Sequence, residues 1–346
     1  MSEIKVNNIQ GLEGTHGPVV SGITTMASSG AMSLPRGDTS YRGGRGRGLF
    51  AGGQVAPSTG TYTNHIEYLT ISTLGNGNTF GDLSGTRDNT ASVASSTRAV
   101  FSHGYTGGAA SNTIEYVSIH STGNAFDFGD STISASSEQA CGNEVRGLIA
   151  GGSAFTTIKY ITIATKGNTS DFGNLTSGRV RAQSMGSAGS PVRGIFAGGG
   201  GLDVEYNIID YVTIATTGDA QDFGDLSQSK TLSCAAGSSS TRMIIAGGGD
   251  APGYGATNTI DYITMASIGD AIDFGDLTAS AHGSSVMSNS VRAVIYLGGT
   301  NGNAATTNTI NYVTIATTGN AADFGDSTLN SYGLGEGCSD SHGGLS

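Results

Sequence analysis

The tripeptide Asp-Phe-Gly is the part of this sequence that looks most like a catalytic motif. Asp127-Phe128-Gly129 has the residues of the turn that holds magnesium in protein kinases, where the aspartate carboxylate binds the metal. The triplet returns at four further places, and Thr79-Phe80-Gly81 is a first, imperfect copy. A catalytic aspartate is needed once per active site, whereas a structural residue recurs once per structural unit. The repetition therefore indicates architecture and not phosphoryl transfer.

Other catalytic patterns are equally incomplete. A kinase also needs a strand lysine and a His-Arg-Asp loop, but this sequence has four lysines and no such tripeptide. No Gly-Lys-Ser/Thr follows a glycine run, which excludes a P-loop. The six histidines form no His-x-His or His-Glu-x-x-His pair of the kind that binds zinc. We therefore predict that the protein is not an enzyme and has no catalytic residues, metal ligands or cofactor.

Internal repetition is the dominant signal in the chain. Three landmarks recur six times in one order: an arginine before an apolar run, an Ile-x-Tyr tripeptide, and a phenylalanine before Gly-Asp or Gly-Asn. The arginines are Arg47, Arg98, Arg146, Arg193, Arg242 and Arg292. The phenylalanines are Phe80, Phe128, Phe172, Phe223, Phe274 and Phe324. Successive phenylalanines are 48, 44, 51, 51 and 50 residues apart, so the repeat is near 50 residues long.

Each repeat has the pattern of four β-strands. Segments such as YVTIATTG are β-branched and aromatic and stop at glycine, as strands do. A short hairpin, a Phe-Gly-Asp strand and a stretch of Ser, Ala and Gly follow, and we expect the small residues in the crowded innermost strand of a ring. The phenylalanines are predicted to fill the gaps between sheets. Six four-stranded sheets predict an all-β, six-bladed propeller, which hides its sheet edges by closing into a ring.

The ends of the chain predict how the ring closes. The first repeat begins at its second strand, near Arg47, and residues 331–344 match the innermost strand of the other repeats. The C-terminal strand should therefore complete the first blade. This divides the chain into an extended N-terminal anchoring arm with a Gly/Arg-rich connector, residues 1–46, and a propeller, residues 47–346.

Composition excludes several classes of partner. The net charge of −11 argues against nucleic-acid binding, which needs a basic surface. No apolar stretch reaches 18 residues, so we expect no membrane insertion. Cys141, Cys234 and Cys338 fall in blades three, five and one, which are not adjacent, and this predicts free thiols.

The order of the landmarks resembles the Kelch repeat. An apolar strand ends in Gly-Gly, a tyrosine follows 8 to 15 residues later, and an aromatic residue lies in the last strand. The resemblance covers residues 47–345 and implies blades clasped by the C-terminal strand. Two features depart from the family: its outer-strand tryptophan is phenylalanine throughout, and the second repeat has Ser102-His103-Gly104 in place of Gly-Gly.

Near-perfect tandem units of the form NTIDYVTIATTGNAxDFGD, after the start MSEIKVNNIQ, are similar to virion structural proteins of tailed bacteriophages, especially those of marine bacteria and cyanobacteria. The resemblance implies a tail-fibre or other appendage component that is assembled in the host cytoplasm and is present as a homo-oligomer or in several copies. Its arm would bind other virion proteins while the propeller faces outward. The alternatives are a cellular Kelch-type interaction scaffold or glycan-binding module and, third, an enzyme with a site assembled across blades.

The loops between second and third strands are the candidate contact surface. They emerge on one face of a propeller, and their Gly-to-Tyr spacing varies from 8 to 15 residues while the strands repeat. Aromatic rings in them suit the apolar faces of sugars, with Asn or Asp beside them for the hydroxyls; the alternative is that each ring packs only its own loop. The candidate residues for contact with a host-surface glycan or a neighbouring virion protein are Tyr62, Tyr105, Phe155, Tyr206 and Tyr254.

Two further expectations concern the repeated charges and the arm. Each repeated arginine begins a strand on the face that also carries the hairpin before the Phe-Gly strand, which suggests a ring of Arg–Asp contacts. The expected partners are Asp127, Asp171, Asp222, Asp273 and Asp323. Residues 1–46 hold two short apolar patterns, too few to build a core alone, so we expect them to order against a partner subunit or other copies of the chain.

Overall fold

The structure, a computed structural model, is a six-bladed β-propeller of antiparallel sheets. It describes residues 46–56, 60–102, 104–152, 155–179, 185–200, 206–230, 234–250, 255–299, 306–333 and 335–341, and the backbone of three short strands nearer the N-terminus. The chain divides into two units, Met1–Gly44 and Arg45–Ser346. In the first, Val19–Val20, Thr24–Met26 and Met32–Ser33 pair in one antiparallel sheet. The rest of the predicted arm lies outside the described residues.

Each blade has four strands that, in blades 2 to 6, run outward from the axis in chain order, as the repeat pattern predicts; in blade 1 the innermost strand comes from the C-terminal end of the chain. The innermost strands of blades 1 to 6 are Glu336–Ser339, Ala91–Ala94, Gln139–Gly142, Met185–Gly189, Ala235–Ser238 and Ser285–Ser288. The second strands are Arg47–Ala51, Arg98–Ser102, Arg146–Ala150, Arg193–Gly198, Arg242–Ala246 and Arg292–Tyr296. The third strands are His65–Thr70, Thr113–Ser118, Thr157–Thr162, Ile208–Thr213, Gly255–Thr264 and Thr307–Thr314. The outermost strands are Asn78–Asp82, Phe126–Asp130, Ser170–Asn174, Gln221–Asp225, Ile272–Ala281 and Ala322–Gly333.

The C-terminal segment closes the ring, which confirms the prediction from the chain ends. Glu336–Ser339 pairs antiparallel with Arg47–Ala51 and becomes the innermost strand of blade 1. Blades 6 and 1 are also joined by a second contact, because Gln54–Val55, from the loop of blade 1, pairs with the outermost strand of blade 6. A similar two-residue strand, Gly249–Asp250, pairs with the third strand of blade 5. The three cysteines are buried and free, as expected.

Six apolar clusters lie between adjacent blades. Each repeated phenylalanine is at most 3% exposed and packs against the blade that follows its own in the ring. Phe80 of blade 1, for example, shares a cluster with Phe101 and Ile119 of blade 2. Phe324 of blade 6 closes the series against Leu69 of blade 1. The prediction that these rings fill the gaps between sheets is confirmed.

The hairpin between the third and outermost strands joins each blade to the preceding one. Gly218, in the blade 4 hairpin, donates its N–H to the carbonyl of Phe172 in blade 3 at 2.8 Å. The next residue, Asp219, accepts the N–H of Asn174 at 2.9 Å through its side chain. The Gly between Phe172 and Asn174 has φ +154°, and a Cβ there would lie 2.2 Å from the Gly218 carbonyl oxygen. Asp219 of the hairpin is thus the side-chain acceptor of this contact. Gly173 has to be glycine because the backbones of the two blades meet there.

Two faces of the propeller differ in what they carry. The hairpin face holds the turns between innermost and second strands and the hairpins between third and outermost strands. The loop face holds the loops between second and third strands and the crossovers from each outermost strand to the next blade. The described chain enters the propeller at Gly46, on the hairpin face, where its carbonyl accepts the N–H of Ile71.

The repeated arginines lie on the hairpin face, but their partners are not the predicted aspartates. Each guanidinium lies 4.2 to 5.0 Å from the ring centroid of the tyrosine in its own blade. Each also donates from Nη1 to a backbone carbonyl of the next blade, as Arg98 does to Ile163 at 2.8 Å. Among the described residues, the ion pairs join other side chains. The prediction of Arg–Asp contacts was wrong, because the carbonyl at the end of the next blade's third strand lies within reach of the guanidinium.

Candidate functional site

Two of the five candidate aromatics meet on the loop face. The rings of Tyr62 and Tyr105, from the loops of blades 1 and 2, lie 6.0 Å apart between centroids and nearly perpendicular. Short backbone bridges hold them, since Tyr62 pairs with Gln54 and Tyr105 with Asp88. Both side chains are half-buried. The loops of two blades thus form one aromatic surface.

A buried carboxylate lies at the base of these loops. Asp88 is 1% exposed, and Gln54 donates from Nε2 to its Oδ2 at 2.5 Å. In the described part of the chain, Oδ1 has no hydrogen-bond partner. Burial raises the pKa of Asp88 to about 6, and the hydrogen bond from Gln54 opposes that shift. The group is therefore a carboxyl that can lose or gain a proton near neutral pH next to an aromatic pair.

The other candidates do not join this cluster. Phe155 of blade 3 is 41% exposed and is the candidate most open to solvent. Tyr206 of blade 4 lies over the guanidinium of Arg179, 5.5 Å from its ring centroid, and so covers a buried ion pair. Tyr254 lies outside the described residues.

A ring of buried polar residues supports the loop face and was not recognised in the sequence. The middle residue of each Ile-x-Tyr tripeptide is at most 2% exposed. It forms a hydrogen bond or an ion pair with a group from the preceding blade or from the crossover that follows that blade. The six residues are Glu67, Glu115, Lys159, Asp210, Asp261 and Asn311. In blades 2, 4 and 5 the partners are Arg87, Arg179 and Lys230. The only signal in the sequence was a polar residue between two apolar ones in all six repeats.

The charges of this ring are reversed in blade 3. Lys159 takes the place of the acidic residue and binds Glu138 of its crossover at 2.6 Å. In blade 2 the order is opposite, with Arg87 in the crossover and Glu115 in the strand, also at 2.6 Å. Blade 6 is neutral, because the amide oxygen of Asn311 accepts from Thr278. The buried residue of each third strand is therefore complementary to the groups that face it from its own crossover or preceding blade, and the charge order differs between blades.

The centre of the propeller offers little room. The innermost strands surround a cavity of about 50 Å³, whose lining includes Cys141 and Cys338. Pockets that hold small molecules are typically about 300–1,000 Å³ in volume. Burial raises the pKa of both thiols to about 12, so they are protonated and unreactive at neutral pH. The central cavity is therefore too small for a ligand of that size.

Within the described ranges, no three metal-ligating side chains lie together, and no helix could cross a bilayer. Comparison of the chain with protein-family models and with curated protein sequences finds no match.

Proposed function

We propose that this protein is a non-enzymatic virion structural protein, a tail-fibre or other appendage component of a tailed bacteriophage. Residues 1–46 attach it to the particle, and a Kelch-like propeller presents a binding face to the host surface or to another virion protein. The resemblance of the tandem units to such proteins and the geometry of the loop face support the proposal.

The observation that carries the proposal is the contrast between the repeated frame and the varied loop face. In every blade the same Tyr–Phe edge contact recurs, with ring centroids 5.9 to 6.2 Å apart. The loops carried by that frame differ in length and composition. A uniform scaffold with variable loops is the arrangement of a binding protein, since loops can change while the core stays intact.

The position of the first propeller residues supports an orientation. The described chain enters the ring at Gly46 on the hairpin face, beside Asn289 and Ser341. If the arm holds the particle, the hairpin face is directed toward the particle and the loop face away from it. The aromatic pair of Tyr62 and Tyr105, with Asp88 and Gln54 beneath it, is then directed outward. Such a pair favours a glycan as the ligand, because rings stack on sugar faces and polar groups bind hydroxyls.

Electron microscopy of purified particles labelled with an antibody to the propeller tests the proposal. We expect label on the particle surface, and a second antibody to residues 1–46 should be excluded from intact particles but bind the isolated chain. Label found only in soluble host fractions would contradict the virion role and would favour the cellular Kelch-type scaffold.

A further inference from the structure

Exposed large apolar side chains are concentrated on the hairpin face. Eight such side chains occur among the described residues, and only Phe155 belongs to the loop face. The other seven are 53 to 64% exposed, and every blade contributes at least one. They are Leu74, Phe126, Val145, Val192, Ile268, Ile272 and Val291. Single apolar residues scattered over a surface are ordinary, so what distinguishes this face is that it holds seven of the eight.

The fold does not require these residues to be apolar. Val145, Val192 and Val291 precede the repeated arginines, where blades 2 and 5 have threonine. Leu74 and Ile268 precede the hairpin glycines, where blades 2, 4 and 6 have threonine. The remaining two, Phe126 and Ile272, begin their outermost strands, at the position where blades 1, 3 and 4 have Asn, Ser and Gln. Polar residues thus fill the same positions in the same frame.

The charge around these residues is acidic. The aspartate before each repeated phenylalanine is exposed in five blades, and two hairpins add another exposed aspartate. These residues are Asp127, Asp171, Asp222, Asp273, Asp323, Asp219 and Asp270. Lys166 is an exposed cation on this face, with its Nζ 5.2 Å from the ring centroid of Tyr116, and the six arginines are held by tyrosine rings and carbonyls. Two copies of the chain meeting through this face would bring the carboxylates together, and like charges repel.

We propose that the hairpin face is a docking surface for a different protein that presents apolar side chains flanked by lysine and arginine. The three valines lie in turns near the axis, whereas the other four apolar residues and the aspartates lie in the hairpins or on the outermost strands. The partner surface therefore has apolar contacts both near its centre and at its edge, and its cations lie toward the edge. The inference is independent of which ligand the loop face binds.

The test compares the full chain with a hairpin-face variant in which all seven residues take the polar type found in another blade. The substitutions are Leu74→Thr, Phe126→Ser, Val145→Thr, Val192→Thr, Ile268→Thr, Ile272→Gln and Val291→Thr. The probes are three labelled peptides of equal length, built from Leu and Lys, Leu and Glu, or Ser and Lys. Fluorescence anisotropy measures binding at physiological salt, and circular dichroism checks that the variant is folded.

We expect the Leu/Lys peptide to bind the wild-type chain at least about tenfold more tightly than either other peptide, and about tenfold more tightly than it binds the variant. A control variant, Phe155→Ser on the loop face, should bind like wild type. Equal binding by the hairpin-face variant, or equal binding of the Leu/Glu peptide, would overturn the proposal. Sedimentation showing that wild type self-associates through this face, and that the variant does not, would replace it with an interface between copies.

Discussion

Reversing the buried ion pair of blade 3 should show that its two charges have to match each other and that neither sign is required at its own position. Lys159 and Glu138 are each 2% exposed, and Nζ also lies 3.0 Å from the hydroxyl of Ser131. At 2.6 Å the gross attraction is about 6 kcal/mol for an effective dielectric constant near 20. Desolvation of the two ions offsets most of this attraction, so the pair as a whole contributes little. Removing one partner is different, because it leaves the other charge buried.

We expect Lys159→Met to lower the free energy of unfolding by about 3–5 kcal/mol, and Glu138→Gln to act in the same direction. The double variant Lys159→Glu with Glu138→Lys has the charge order of blade 2 and should recover about 2 kcal/mol or more relative to the worse single variant. Urea denaturation of the four proteins, followed by circular dichroism, measures these values. Lys166→Met, at an exposed lysine of the same blade whose Nζ lies 5.2 Å from the Tyr116 ring centroid, is the matched control and should change stability by no more than about 1 kcal/mol. A cost below about 1 kcal/mol for Lys159→Met, or a double variant no more stable than the singles, would refute the reasoning.

Three other predictions concern one or two residues each. Burial raises the pKa of Asp88 to about 6, so ionisation of this carboxyl destabilises the folded protein above that pH. Asp88→Asn should therefore raise the free energy of unfolding by up to about 3 kcal/mol near pH 8 and hardly at all near pH 4. Thermal melts at the two pH values measure this difference. A Cβ on Gly224 would lie 2.6 Å from a backbone carbonyl, whereas one on Gly218 would meet nothing within 4 Å. Both have positive φ, so Gly224→Ala should cost at least about 1 kcal/mol more than Gly218→Ala in urea denaturation. Replacing Tyr62 and Tyr105 together by serine should leave the fold intact and abolish binding to host cells or surface polysaccharide; undiminished binding would place the contact surface elsewhere.

Much of the fold could be read from the sequence because the signals are local and repeated. Strand residues such as those around Tyr160 are β-branched and end at glycine, and six copies report the same environment. Phe172 could be placed between blades, since an aromatic residue at one position of every repeat must meet the same kind of neighbour. The closing strand, Glu336–Ser339, followed from counting innermost strands.

The candidate site was less predictable. The sequence indicated which loops vary, but not that Tyr62 and Tyr105 meet while Tyr206 covers Arg179. Those contacts depend on how loops of different blades turn over the face, and no repeated pattern encodes them. Asp88 carried no signal at all, because its burial comes from the two loops above it.

The sequence by itself therefore determined the number of blades, their four strands and the closure of the ring, because these follow from local pattern and repetition. Only the tertiary structure decided where the polar side chains go. Arg98 looked like a partner for an aspartate, but it donates to a carbonyl 65 residues away. Lys159 occupies a position that is acidic or an amide in the other five repeats, and it is buried against Glu138. In each case the deciding contact joins a strand to a neighbouring blade or crossover, and burial makes any unmatched polar group costly there.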